Sequence, residues 1–495
     1  MKPHPARRIL TALLCAPLLL SACSATALTP PQQDVRWPEP RPASWPTPLP
    51  VARTVPNFQA PSATHCTRPV QTREVPGHTG QIVGDRYKLE RHDHLAKSAP
   101  AETASAPLAA AAAPSSRADY RGAMADSHVR EAPAAGAWPS PAQPQQQPAT
   151  GGTVTAGMVD DNADFAGYLA FRNRTRVEHR ARDVSERYLL AVSDRRGFGI
   201  ADAEVSVWGP SGHAMWARTD AAGKVWLHPN AFDPARSAHY EIAVRKNGRQ
   251  AAGRLVRGQK SAVEVVLDAR PALPRAKLDL VFLIDATGSM GDEIGKLKAT
   301  LHSISAKVAR LPSQPDLCFG LVAYRDRGDA FLLRSHDFTN NLNSFQGVLN
   351  ELQAGGGGDY PEAMNEALHE TVHNLGWRGD GATRMIVLLA DAPPHLDYGA
   401  PHYDDDMVAA LGKGIKVFSV GASGLNPQGE FIQRQIAQYT GGRFVFLTYT
   451  DARNPASGPG RETVHDVTNY SVDTLDRLVV RLVTDELGKL ARPGN

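Results

Sequence analysis

Between residues 275 and 490 the hydrophobic pattern switches repeatedly between two periods. Residues 277–285, KLDLVFLID, form an apolar run that closes on an aspartate, as expected of a strand buried on both faces. Ile294, Leu297, Leu301, Ile304, Val308 and Leu311 follow at spacings of three and four, which predicts an amphipathic helix. Further strands are predicted at 318–325, 330–338, 384–390, 416–421 and 443–447, and helices at 342–352, 361–375 and 472–490. Strand and helix in alternation predict an α/β fold, a doubly wound, mostly parallel sheet with helices on both faces. Such sheets bind ligands beyond the carboxyl ends of their strands.

Residues 184–270 carry a different pattern. Short runs at 187–192, 204–208, 224–227, 240–244 and 262–267 are separated by turn chemistry such as Asp194-Arg195-Arg196-Gly197 and Asp220-Ala221-Ala222-Gly223. In Glu204-Val205-Ser206-Val207-Trp208 polar and apolar residues alternate, which predicts half-buried strands of a small all-β sandwich. The order of these turns and strands resembles the transthyretin-like or carboxypeptidase-regulatory-like sandwich. No cluster of catalytic residue types stands here, so a spacer or adhesion-type module is expected.

The chain opens differently again. Lys2, Arg7 and Arg8 precede an apolar stretch from Ile9 to Leu20, too short to serve as a membrane-spanning anchor. It ends in Leu20-Ser21-Ala22-Cys23, which resembles the lipobox of bacterial lipoproteins. That resemblance implies a signal peptide at 1–23, lipidation of Cys23 and attachment to the bacterial cell envelope. Ser24, rather than Asp, implies the outer membrane. Of the 38 prolines, 23 lie in residues 1–150, with an alanine run at 109–113. Residues 24–150 are therefore expected to be a disordered tether, followed by a lead-in segment at 151–183. In that segment Asp160 and Asp161 are expected in a solvated turn. Residues 271–495 are expected to fold without the rest.

With 54 Lys and Arg against 51 Asp and Glu, the net charge of +3 does not mark a nucleic-acid-binding surface. Four cysteines are too few for a disulfide scaffold. Cys318 opens an apolar strand pattern, so it is expected to be buried without a disulfide to Cys66.

The chemistry-bearing residues gather at predicted strand ends. Asp285-Ala286-Thr287-Gly288-Ser289 follows the first strand, and Asp391 ends Met385-Ile386-Val387-Leu388-Leu389-Ala390-Asp391. Between them runs Gly355-Gly356-Gly357-Gly358-Asp359-Tyr360-Pro361-Glu362. Carboxylates and hydroxyls from three loops suit a hard divalent cation, Mg²⁺, Mn²⁺ or Ca²⁺. Each residue alone also fits a cap or a turn. Asp-x-Thr-x-Ser after an apolar strand resembles the metal-ion-dependent adhesion site of von Willebrand factor type A domains. The following Met290-Gly291-Asp292-Glu293 and the Asp359-Tyr360-Pro361-Glu362 loop resemble the A-like domain of integrin β subunits more closely. The resemblance implies a central ion held by Asp285, Thr287, Ser289, Glu362 and Asp391, and an adjacent ion near Asp292, Glu293 and Asp359. It also implies a non-enzymatic role: the ion captures a carboxylate of a protein partner. The sequence departs from that pattern in having Thr287 where serine is usual.

Two literal motifs compete. His369-Glu370-Thr371-Val372-His373 is an HExxH, which on a helix could hold Zn²⁺ with Glu370 as general base, as in a metallopeptidase. Residue 379 is glycine, so the extended histidine pattern fails, and the helix is expected to face the core without zinc. A cell-envelope scaffold with a purely structural metal is the remaining alternative. Arg327-Gly328-Asp329 is an RGD, expected to serve as loop chemistry.

Overall fold

The computed structural model describes residues 66, 72–77, 152–269, 275–358, 360–379 and 381–490. Cys23, the signal peptide, most of the tether and Asp359 lie outside the described residues.

The described chain begins with two strands, β1 (Thr72–Val75) and β2 (Thr155–Val159), then helix α1 (Phe165–Arg174). The β-rich segment follows with β3 (Tyr188–Ser193), β4 (Glu204–Trp208), β5 (Ala214–Arg218), β6 (Lys224–Leu227), the short α2 (Pro229–Phe232), β7 (His239–Lys246), β8 (Arg249–Val256) and β9 (Val263–Val266). These strands form two sheets, β6-β3-β9 and β5-β4-β7-β8, with Leu190, Val205, Val207, Ile242 and Val265 in the shared core.

The α/β portion starts with β10 (Lys277–Asp285), α3 (Gly291–Ala309), β11 (Asp316–Tyr324), β12 (Leu333–Thr339), α4 (Leu342–Glu351) and α5 (Met364–His373). It continues with β13 (Ala382–Ala390), α6 (Tyr403–Lys413), β14 (Ile415–Gly421), α7 (Pro427–Thr440), β15 (Phe444–Asp451), β16 (Asn454–Pro459), β17 (Asp473–Thr474) and α8 (Leu475–Gly488). Its sheet runs β1-β12-β11-β10-β13-β14-β15-β2-β17, with β16 paired to β15. Strands β11, β10, β13, β14 and β15 are mutually parallel, and β12 is antiparallel. The expected mixed α/β class with a central, mostly parallel sheet is therefore present.

The continuous apolar run of β10 is explained by its two buried faces. Leu278, Leu280, Phe282 and Ile284 enter a core with α3, α4 and α8, while Val281 and Leu283 point into the opposite core with α5, α6 and α7. Helix α3 buries Ile294, Leu297, Leu301, Ile304 and Val308 as one stripe, as its spacing predicts.

Helices α6 and α7 were not anticipated, although both carry clear signals. Asp404, Asp405 and Asp406 occupy the first turn of α6. Asn426 caps α7, with Pro427 opening it.

Several expectations about the flanking segments need correction. Thr72–Val75, within the expected tether, pairs antiparallel with β12. Thr155–Val159, within the expected lead-in segment, lies between β15 and β17. Asp161 is not in a solvated turn; it is buried and accepts hydrogen bonds from Arg434 at 2.6 and 2.9 Å. Cys66 and Cys318 form a disulfide. Apolar burial of Cys318 and pairing are compatible because Cys66, whose carbonyl accepts from Asn340 N just after β12, lies next to β11, which carries Cys318 and pairs with β12. The α/β portion is thus completed by residues before 271, since β1 at one edge of its sheet and β2, between β15 and β17 near the other, are supplied from there. The two-sheet segment is likewise no detached spacer, because it shares one core cluster with α5, α6 and α7.

Candidate functional site

Parallel pairing brings the site together. In the β10–β13 register Ile284 lies opposite Leu389, so Asp285 and Asp391 emerge at the same sheet edge. Tyr324, the last residue of β11, is opposite Asp285 on the other side.

Asp285 is fully buried, and its Oδ1 accepts from Thr287 N at 3.0 Å and Thr287 Oγ1 at 2.7 Å. Thr287 Oγ1 lies 3.0 Å from Ser289 Oγ. Asp285, Thr287, Glu362 and Asp391 are all buried, whereas Ser289 is exposed at the mouth. Asp285 Oδ2, Glu362 Oε2 and Asp391 Oδ1 are buried without a hydrogen-bond partner. Buried polar atoms are nearly always paired, so three unpaired carboxylate oxygens together call for a cause.

Electrostatics point the same way. Burial, then the neighbouring Asp285, Asp326, Asp329 and Asp391, pushes the Glu362 carboxyl up to about 9. Burial and Asp391 raise Asp285, and burial raises Asp391, with Glu293 adding to it. The Tyr324 hydroxyl is driven well above its ordinary value by burial against the same acids. These acids are held where each disfavours the ionised form of the others. A bound cation would remove that conflict, and the oxygens able to hold one come from Asp285, Thr287, Ser289, Glu362 and Asp391.

The glycine loop fits closely beneath them. Gly356 and Gly357 adopt φ of +74° and +73°. A Cβ on Gly357 would stand 3.0 Å from Glu362 Oε1 and 3.3 Å from Thr287 Cβ. One on Gly356 would collide with the Asp329 carboxylate at 2.3 Å. Only glycine meets both demands. Asp329 Oδ2 in turn accepts from Gly357 N at 2.8 Å and Asp326 N at 3.1 Å.

The RGD residues are spent on this framework. Asp329 holds the glycine loop, while Arg327 donates to buried Glu366 at 2.9 Å and lies 3.5 Å over the Tyr398 ring. Sequence reasoning did not anticipate Asp326, Asp329, Tyr324 or Tyr360 around the site. Tyr360 Oη lies 3.2 Å from the Asp391 and Gly424 carbonyl oxygens and accepts from Asn426 N at 3.0 Å. The residue is nevertheless 45 % exposed. Placement on the loop before Glu362 was the only available signal.

The adjacent-ion set does not assemble as a unit among the described residues. Asp292 is exposed, whereas Glu293 is buried and its Oε1 accepts from Ser423 N at 3.2 Å and also from the Ser423 and Tyr449 hydroxyls. Being consecutive on α3, the two carboxylates face different surroundings.

The HExxH residues diverge similarly. His369 Nδ1 and His373 Nε2 each lie 3.0 Å from Asp406 Oδ1. Glu370 faces β12 instead, where it pairs with Arg73 and accepts from Ser335 Oγ at 2.9 Å and Asn374 Nδ2 at 2.8 Å. It is not placed as a base beside the imidazoles. Among the described residues, no helix is long and apolar enough to cross a membrane.

Comparison with known proteins identifies the α/β region. Residues 279–395 match the family model described as von Willebrand factor A domain. An α-protein kinase, vwkA, of Dictyostelium discoideum is 28 % identical over 138 residues, covering 28 % of this chain and 22 % of the kinase. The von Willebrand factor A domain-containing protein 7 of Mus musculus is 36 % identical over 103 residues, covering 21 % of this chain and 10 % of the mouse protein. The chain thus spans less than a quarter of either relative's length. The crystal structure of the pilus adhesin SpaC from Lactobacillus rhamnosus GG, in its open conformation, aligns at 16 % identity over 42 % of this chain and 31 % of that one. Its TM-score is 0.26, too low for a shared fold to follow from it. Residues 279–395, which include Asp285 and Asp391 at one end of the parallel sheet, thus match a von Willebrand factor A domain.

Proposed function

We propose that this A domain binds a protein partner through a divalent cation held by Asp285, Thr287, Ser289, Glu362 and Asp391. The observation that carries this reading is the set of three buried carboxylate oxygens, from Asp285, Glu362 and Asp391, with no hydrogen-bond partner. Hard oxygen donors favour Mg²⁺, Mn²⁺ or Ca²⁺ over softer metals. Ser289 at the exposed mouth leaves room for an Asp or Glu of the partner to complete the ion's shell. The chain's own residues would orient the ion and exclude water from the buried side; no bond is made or broken.

The role is non-catalytic in this proposal. The metallopeptidase alternative is disfavoured because Glu370 is engaged by Arg73, Ser335 and Asn374. Lipidation at Cys23 would anchor the domain in a bacterial envelope, at the outer membrane given Ser24.

The test is calorimetric titration of the full chain with Mg²⁺, Mn²⁺ and Ca²⁺, followed by capture of envelope proteins with and without EDTA. One equivalent of cation, lost in Asp285→Ala, and EDTA-sensitive capture are expected. Cation binding with EDTA-insensitive capture would favour the scaffold with a structural metal. No cation binding by the folded protein would overturn the reading.

A further inference from the structure

Helix α5 presents His369 and His373 one turn apart, with their rings stacked at 4.4 Å between centroids. No third donor follows along this helix, but α6 brings one. Asp404 pairs with Arg180 and Arg182, and Asp405 with Arg182, whereas Asp406 faces the two imidazoles.

We propose that His369, His373 and Asp406 form a second metal site, for a borderline transition-metal ion such as Zn²⁺, that ties α5 to α6. One ring nitrogen of His369, one of His373 and a carboxylate oxygen of Asp406 all lie within 4.8 Å of one another. Both nitrogen-to-Oδ1 distances are 3.0 Å. A tetrahedral zinc shell with bonds of about 2.0–2.1 Å has donor–donor edges of roughly 3.3 Å, so both nitrogen–oxygen edges need open by only a few tenths of an ångström.

A separate observation points to a ligand here. The Asp406 side chain is 3 % exposed, and its Oδ2 is buried without a hydrogen-bond partner. Hydrogen bonds to the imidazoles use one oxygen and leave the other unmatched, which is costly in the interior. The imidazoles themselves are 24 % and 34 % exposed, giving an ion an entry path and a water its fourth position.

The donor chemistry separates this site from the Asp285 group. Two nitrogens and one carboxylate select a borderline metal, whereas the Asp285 group offers only oxygen. With Glu370, the base of the motif, engaged by Arg73, Ser335 and Asn374, the site is proposed to brace helices rather than to hydrolyse. His369 is seven residues beyond Glu362, about 10 Å along a helix, so the brace would steady the helix that follows that loop.

The experiment uses the full chain, stripped with EDTA and then saturated with Mg²⁺ to occupy the oxygen-rich site. Zn²⁺ is titrated in competition with a chromophoric chelator, and Co²⁺ binding is followed by visible absorption. Expected are one equivalent of Zn²⁺, cobalt ligand-field bands abolished by Zn²⁺, and affinity at least about tenfold weaker in His369→Gln and His373→Gln. Asp285→Ala should bind zinc as the parent does, which keeps this inference separable from the capture reading. Equal zinc affinity in folded histidine variants would overturn the proposal. Should those variants not fold, the parent's cobalt spectrum decides, and absence of its bands overturns it.

Discussion

Arg384 Nη1, on the central strand β13, lies 2.9 Å from Asp202 Oδ1, in the turn before β4 of the neighbouring two-sheet segment. Both residues are buried, and Asp202 also accepts from Arg218 at 2.8 Å, Lys246 at 3.2 Å and Gly381 N at 2.6 Å. One carboxylate therefore joins cations from both parts of the molecule. Burial opposes its charge, but Arg384, Arg218 and Lys246 hold it well below the usual carboxylate range.

Asp202→Asn keeps a residue that tolerates the φ of +54° found there while removing the charge. It is expected to destabilise by about 3–5 kcal/mol, because Arg384 is left buried without its anion. Urea unfolding at pH 7 checks this, and one transition shared by both parts is expected. In the parent this contribution is present above about pH 4 and is lost as pH falls through the depressed value.

A fragment of residues 275–490 is expected not to reach a stable fold, whereas 152–490 should. The shorter fragment lacks β2, exposing the β15 edge along Phe444, Val445, Phe446 and Leu447, and leaves buried Arg434 without Asp161. Circular dichroism and urea titration of the two fragments distinguish them. A cooperative transition in 275–490 would show that the sheet edge is dispensable.

The clustered acids set a pH dependence of opposite sign. Carboxyls raised in the folded state favour folding below their ordinary range near pH 4 and lose that advantage as pH rises through the folded value. Glu362, raised to about 9, sets the upper end, with Asp285 and Asp391 raised beside it. In EDTA, Tm should therefore fall between pH 5 and pH 9. Saturating Mg²⁺, Mn²⁺ or Ca²⁺ should flatten that fall and release protons on binding. Equal slopes with and without cation would remove the metal from the site.

Substitutions rank the proposed ligands. Asp285→Ala and Asp391→Ala each remove a charge from the shell and should abolish cation binding. Ser289→Ala should weaken it less, since water can refill the exposed position. Glu362→Ala should fail like Asp285→Ala if the loop acts as in integrin β subunits, and a mild effect would assign it a supporting role. Calorimetry on folded variants reads all four.

Cys23→Ser should move the protein from the membrane fraction to the soluble fraction, measured by fractionating cells that express each form. Unchanged membrane association would refute lipid anchoring at this residue.

Much of this protein is legible in local pattern. The buried run before Asp285, the stripe of α3 and the turn-bounded strands β3, β4, β6, β7 and β9 follow from periodicity, because a residue's neighbours in sequence decide which face it shows, whereas β5 and β8 were not anticipated. The placement of Asp285 and Asp391 at one edge also follows, since parallel strands align their carboxyl ends. Other features depend on contacts between distant segments. Nothing near Thr72 or Thr155 marks them as strands of a sheet whose centre lies more than a hundred residues later; their partners β12 and β15 decide it. The Cys66–Cys318 bond, the Asp202 ion cluster and the meeting of His369 and His373 with Asp406 are likewise products of packing. Backbone hydrogen bonding at sheet edges and neutralisation of buried charge require partners from elsewhere in the chain, and only the tertiary structure supplies them.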